Sequence, residues 1–430
     1  MIYVCDAMMG CGKSTAAIHY MNAHADKKFI YASPMIDETE RIKQACPGLN
    51  FILPNNFDKK HEHKKIKHLE SLLRDGRNVA VSHMLLSLCE PDMIDIIKER
   101  GYILILDEVV DVFQPIKIKK DDMDMLIHSG FLNIDAASLE NGSCEVASGM
   151  KDYAGDWARA MKIYADSHRL VAVKSNHGKT CLYSWAFNLD ILTAFQDVVI
   201  LTYLFRASSL CWLFQINGVA YRNIGVRVDN PGDYQFTDCP DWDRVHSETA
   251  DLARKIHILR NDRMNYVSSP KKYNRTMLSI AWSDRAAADA SKENIMELKR
   301  HLDNFFNNIH RGGPSKNRLW TCHKSIKSAL SGKGYTKRYL VFNRRATNQY
   351  RNCDVLAYCA NVFINVSERR YFESRGILID DDLYALSIML QWIWRSAIRD
   401  GKDIDIYIPS VRMRILLENW IAEAVRENKN

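Results

Sequence analysis

Gly10, Gly12, Lys13, Ser14 and Thr15 stand together near the N-terminus, in the run Ala7-Met-Met-Gly-Cys-Gly-Lys-Ser-Thr15. Two glycines let a backbone turn tightly enough for its N–H groups to converge on phosphate oxygens. A helix starting just beyond them adds partial positive charge. Lysine at position 13 would reach the β- and γ-phosphates of a nucleotide, and the Ser14 hydroxyl would bind Mg²⁺. The nucleotide-holding set is therefore Ala7, Met8, Gly10, Cys11, Gly12, Lys13, Ser14 and Thr15. The usual pattern is G-x-x-x-x-G-K-[ST], and Ala7 replaces its first glycine.

A second pair that could do chemistry is Asp107-Glu108. Adjacent carboxylates at the end of an apolar run are costly unless a cation meets them. Asp107 would hold Mg²⁺ through water, sharing the ion with Ser14, and Glu108 would polarise the attacking water as general base. A third set is Gln391, Arg395 and Arg399, spaced four apart. On one helix they would share a face. Arginine is planar, always charged and multiply donating, so it suits stabilisation of a phosphoryl group in transfer.

These side chains need elements to hold them. Ile2 to Val4 predicts a short buried strand, and the run from Ser14 a helix, so the glycine turn lies between strand and helix. Lys28 to Pro34 predicts a second strand, and the acidic start at Asp37 and Glu38 a following helix. Asn78 to His83 predicts a third, with Ser82 and His83 at the end where parallel sheets present functional loops. Tyr102 to Leu106 predicts a strand buried on both faces and ending at Asp107. A helix from Asp190 leads into a strand ending at Thr202-Tyr203, where the first domain is expected to close, near residue 210. Further on, Arg318 to Lys324, Tyr339 to Asn343 and Ile404 to Ile408 predict strands, and Tyr384 to Arg399 one amphipathic helix. Arg344, Arg345, Thr347 and Asn348, just past the Tyr339 strand, suit phosphate or ribose contacts. The histidine- and lysine-rich run Asp58 to His68 reads as a solvated helix surface, with a phosphate-contacting face as the alternative.

A chain of 430 residues exceeds one core and predicts two domains. Hydrophobic content of 47% with 26% charged residues is ordinary for a water-soluble chain, and no apolar run reaches membrane-spanning length. The glycine turn occupies the N-terminus, so no signal peptide is expected there. The eleven cysteines form no C-x-x-C pair and read as buried, reduced thiols in a cytoplasmic protein. Net charge of +7 is compatible with a nucleic-acid partner without requiring one.

AMMGCGKST, ILILDEVV and QWIWRSAIR occur in the order of motifs I, II and VI of superfamily-two helicases. The whole chain resembles the short phage-encoded, DEAD/DEAH-like members, especially in FIYASPMIDETERI, NRRATNQY and QWIWRSAIRDG. It is more distantly similar to herpesvirus-type origin-binding helicases. The resemblance implies an α/β fold of two RecA-like P-loop domains, each with a mainly parallel sheet flanked by helices. Residues 1–210 would carry motifs I, Ia, II and III. Residues 211–430 would carry IV, V and VI, with an irregular or inserted region at about 211–275. ATP and Mg²⁺ are the implied cofactors, bound in the cleft between the domains. Lys13, Asp107, Glu108, Gln391, Arg395 and Arg399 are the implied catalytic set. Ser33-Pro34 falls at motif Ia and Thr202 at motif III, which implies nucleic-acid contact or coupling to it.

Three departures stand out. The two motif VI arginines lie four residues apart where three is usual, which leaves the finger open between Arg395 and Arg399. No adenine-reading glutamine motif precedes the first strand. Motif II reads Asp-Glu-Val-Val, not DEAD or DEAH. The expected activity is an ATP-dependent helicase or translocase on single-stranded or forked DNA, or on RNA, in phage replication alongside replication proteins. The alternatives are a phage packaging ATPase, which would need a nuclease carboxylate set, and a nucleotide-switched loader, which would not need Glu108.

Overall fold

A computed structural model describes residues 1–56, 64–116, 118–150, 155, 159–166, 169–174, 181–230, 232–261, 263–265, 267, 275–288, 292–343 and 349–427. It divides into two units. The first comprises Met1–Asp6, Lys13–Cys239 and Ile364–Asp380; the second comprises Ala7–Gly12, Pro240–Phe363 and Asp381–Asn430.

The first unit is built on β1 (Ile2–Asp6), β2 (Phe29–Ser33), β3 (Val79–Ser82) and β4 (Ile103–Asp107). An excursion then forms β5 (Phe113–Pro115), β6 (Leu132–Ile134), β7 (Ser143–Ser148), β8 (Leu170–Lys174) and β9 (Cys181–Ala186). The chain returns as β10 (Asp197–Thr202), β11 (Arg222–Val228) and β12 (Tyr234–Thr237). The main sheet has the order β12-β11-β1-β10-β4-β2-β3, parallel throughout except for β12. Its central strands are unbroken apolar runs because both faces are covered: Ile103 to Leu106 and Phe29 to Ala32 are each at most 1% exposed. Each Ile, Leu or Phe among them contributes roughly 1.5–3 kcal/mol by leaving water.

The second unit holds β13 (Ile256–Ile258), β14 (Arg318–Cys322), β15 (Val355–Cys359) and β16 (Ile404–Tyr407), all parallel in the order β13-β16-β15-β14. Leu298, Leu302, Phe305 and Phe306 pack with Trp320 and Ile326 into its core. Helices flank both sheets, and the fold class is the expected one: α/β, two RecA-like units, each with a mainly parallel sheet. Nine of the eleven cysteines are buried; Cys181 is half-buried and Cys239 exposed. Among the described residues no helix is long and apolar enough to cross a membrane.

Four expectations are corrected. The first unit does not close near residue 210, because β11 pairs with β1 and carries the unit to Cys239. Residues 211–275 are not an insertion; where described they form regular elements, including the helix Trp242–Arg254. The true insertion is β5 to β9, a five-stranded antiparallel sheet between β4 and β10 with its own core of Met123, Leu126, Phe131, Leu132, Val146 and Leu170. The strand expected at Tyr339 to Asn343 shrinks to a single bridge from Tyr339 to Trp320, because the Leu340 carbonyl accepts from the Trp392 indole instead of a neighbouring strand. The fourth concerns the C-terminal arginines.

Candidate nucleotide site

The parallel register brings chemistry to one edge of the first sheet. Asp6 pairs with Thr202, Leu201 with Asp107, and Ser33 with Ser82, so all these strands end together. Between β1 and the helix Lys13–Ala23 runs the loop Ala7–Gly12. Gly10 and Gly12 take φ of 88° and 94°, in the left-handed region that glycine tolerates without cost. At Gly10 a side chain would also meet the indole of Trp394. Met8 and Cys11 are buried, and Ala7, Lys13, Ser14 and Thr15 are half-buried. Lys13 is the first helical residue, so the turn–helix junction expected of a phosphate loop is present.

One strand away from β1 lies β10, and next to it β4, which ends in Asp107. Enclosure by protein, reinforced by the charge of Glu108, pushes the Asp107 carboxyl up to about 6; the Tyr31 hydroxyl on β2 pulls slightly the other way. Glu108 stands at φ 63°, unusual for a residue with a side chain, while its N–H donates to the Leu201 carbonyl at 2.9 Å. Such strain, about 1–3 kcal/mol, clusters at working sites. The donor set fits a magnesium nucleotide: one hard oxygen ligand, an adjacent base and a glycine loop. Among the described residues no three His, Cys, Asp or Glu side chains converge, so Asp107, Ser14 and the phosphates themselves would hold the ion.

The raised Asp107 value makes a test of electrostatics. Its pKa when folded lies above the ordinary 3.8, so the folded protein keeps that proton longer than the unfolded chain does. Stability from this group is present at low pH and is lost as pH rises from about 4 through about 6. Asp107→Asn is therefore expected to stabilise the metal-free protein at neutral pH by roughly 2 kcal/mol. Thermal melts at neutral pH and near pH 4 check this: the gain should vanish in acid, and an equal gain at both values refutes it.

Other sequence candidates fare differently. Ser82 caps the helix His83–Ser87 by accepting the Leu85 N–H at 3.2 Å, and His83 is buried. Ser33 is wholly buried, Thr202 nearly so, and Pro34 half-buried. Arg344, Arg345, Thr347 and Asn348 lie outside the described residues, as do 57–63 of the basic run. Gln391, Arg395 and Arg399 do not share one helix. The helix Asp381–Ile393 ends before Arg395, and Arg399 sits in a separate short turn, Ala397–Asp400. Ser396 takes an extended conformation and the Ala397 N–H leaves the helix to bond the Cys353 carbonyl at 2.8 Å. Gln391 is half-buried in the last turn, Arg395 is buried and Arg399 half-buried.

Two residues escaped the reading of the sequence. Asp6, the last residue of β1, accepts the Phe205 N–H at 2.9 Å and so ties the start of the glycine loop to the turn after β10. Leu204 in that turn is also left-handed, at φ 57°. A carboxylate closing an apolar strand just ahead of a phosphate loop was the available signal. Tyr31, wholly buried on β2, sits beside Asp107, Glu38 and Arg41, and its phenol is driven well above the usual range by burial and then by Asp107.

Comparison with known proteins decides the family. Residues 250–421 match the model of the YonV C-terminal Rossmann-like domain. The SPbeta prophage-derived uncharacterized protein YonV of Bacillus subtilis (strain 168) is 35% identical over 422 residues, spanning 98% of each chain. The chain belongs to the YonV family. Among solved structures, an Xpd4 from S. tokodaii has a TM-score of 0.48 at 12% identity, covering 97% of this chain and 93% of its own. A structure titled XPD helicase has a TM-score of 0.45 at 10% identity, covering 97% and 94%. The YonV match covers 98% of the chain and so spans both units and the Asp107 strand.

Proposed function

We propose that this YonV-family chain is an ATP-dependent helicase or translocase on nucleic acid, acting on DNA in phage replication. One observation supports the reading above the rest. A loop with two left-handed glycines opens a helix at Lys13, and two strands away Asp107-Glu108 ends a buried strand at the same sheet edge. Bound magnesium would neutralise charge building on the β- and γ-phosphate oxygens. Lys13 binds those oxygens, and the loop N–H groups hold the phosphate chain in place. Ser14 and Asp107 would hold the ion. Glu108 accepts a proton from the attacking water. The arginine-finger role falls to Arg395 or Arg399, with Gln391 as a further polar contact. A prophage-derived relative supports the phage setting and the bacterial cytoplasm as the place of work.

The test is ATP hydrolysis at low salt with and without single-stranded DNA, RNA and duplex. Strong stimulation by one of these identifies the track. Hydrolysis indifferent to all three defeats the motor reading in favour of a protein-partnered ATPase. Glu108→Gln separates a motor from a nucleotide switch. It is expected to keep nucleotide affinity while slowing turnover by about 10²–10⁴-fold. A variant that hydrolyses like wild type removes Glu108 from the base role.

A further inference from the structure

Between Asp303 and Asp354 the chain has eleven lysines or arginines and neither aspartate nor glutamate. The whole chain carries 59 basic and 52 acidic residues, so outside this stretch 48 basic residues are outnumbered. The net positive charge of the protein therefore resides in one segment of the second unit.

That segment is built around β14, the edge strand of its sheet. Beyond it the chain at Tyr339 runs alongside, bridged to Trp320. Lys324 and Lys327 stand three apart on the helix Lys324–Leu330 and face solvent, while Ile326 and Leu330 face the core. Lys327 places its ammonium 4.3 Å over the Tyr339 ring. Arg338, next in line, donates to the Lys316 carbonyl at 2.7 Å, and Lys316 and Lys337 are exposed. These contacts link Lys327, Tyr339, Arg338 and Lys316 into one ribbon along the sheet edge. Among the described residues none of Lys316, Lys324, Lys327 and Lys337 makes an ion pair. A surface of one charge sign raises the local concentration of anionic partners. Exposed neighbours in sequence are Ser325, Ser328 and Thr336, and between Lys316 and Tyr339 no described large apolar side chain is exposed to enter a lipid bilayer.

We propose that this β14 edge is a phosphate-tracking surface for single-stranded nucleic acid, separate from the glycine loop and from the strand-end residues discussed above. The assignment rests on the nucleic-acid reading for its partner, though not on ATP hydrolysis. Lysines without base-reading geometry bind the backbone whatever the sequence, and binding of this kind is steeply salt-dependent.

The experiment compares two full-length variants without nucleotide. One combines Lys316→Gln, Lys324→Gln, Lys327→Gln and Lys337→Gln. The other makes the same charge change at exposed lysines of the first unit: Lys43→Gln, Lys98→Gln, Lys119→Gln and Lys120→Gln. Fluorescence anisotropy with labelled oligothymidylate and oligouridylate is measured across a salt series. Four lost phosphate contacts should lower the slope of log affinity against log salt by about 3, and weaken binding about 100-fold at moderate salt. The first-unit variant should change far less. Equal losses in both variants, or an unchanged slope in the first, overturn the proposal. So does wild-type protein that ignores both oligonucleotides and binds phosphatidylcholine vesicles only when they contain phosphatidylserine. A slope that falls in a protein with no ATPase activity leaves this surface standing and defeats the motor alone.

Discussion

Lys13→Ala is expected to abolish ATP hydrolysis while leaving the fold intact. The side chain is half-buried at the first position of its helix, directly after Gly12. Alanine is the better helix former, so the helix loses nothing by the change. What disappears is the cation that the proposed mechanism sets against the β- and γ-phosphates. Removing a single preorganised donor costs about 10²–10³ in turnover, and a full charge should cost at least that. Released phosphate measures the activity, and circular dichroism melts confirm the fold. Wild-type-like turnover in a folded variant would sink the assignment of the whole loop. An unfolded variant would leave Lys13→Met to be measured in the same way.

The second large effect is on stability. Arg412 is 4% exposed and ties four acceptor groups together with one side chain. Its Nε donates to Asp382 at 2.7 Å, one Nη to both the Asn361 side-chain oxygen and the Val362 carbonyl at 2.8 Å, and the other Nη to the Asp381 carbonyl at 2.8 Å. The guanidinium also lies 4.3 Å from the centre of the Phe363 ring. Arg412→Ala strands several buried acceptors at once, each worth about 1–3 kcal/mol when unsatisfied. A loss of roughly 3 kcal/mol is expected, with Arg412→Lys recovering only part, because a single ammonium cannot copy the planar fork. Six of the nine tryptophans belong to the second unit, so denaturant titration followed by tryptophan fluorescence reports mainly on it. An unmoved transition would show that the network adds nothing.

The parts of this protein that could be read from the chain are those where local chemistry and tertiary need coincide. Ile103 to Leu106 is apolar at every position and ends in two carboxylates, so strand and site announce themselves together. The glycine loop is equally explicit, since its left-handed φ values require the residues that are there. The inserted sheet was missed because strands such as Ser143–Ser148 and Cys181–Ala186 are short, mixed and half-exposed, with no unbroken apolar run. The helix break after Ile393 has no proline or glycine to signal it. It is imposed by the Cys353 carbonyl, 44 positions away in the chain, capturing the Ala397 N–H. The apolar run at Tyr339 looks like a strand, yet a tryptophan indole takes the carbonyl that a neighbour would have used. The proposed tracking surface was legible as an absence of acids over a long interval, a signal that scanning for motifs does not register.

The segment Ile364–Asp380 lies between two stretches of the second unit yet belongs to the first. Its helix Val366–Glu373 sets Phe372 against Trp212 with ring centres 5.5 Å apart, and Tyr371 against Phe113 at 5.0 Å. Arg375 and Ser374 meet Ser143 of the inserted sheet. The chain is therefore stitched, and its halves are not interchangeable cassettes. A fragment stopping at Cys239 would lack a helix whose Phe372 is fully buried, leaving an apolar scar on its surface. Recombination at the apparent boundary would produce the same wound. Neither unit is continuous in the sequence, so a change of chain at one point cannot exchange one unit whole and leave the other whole.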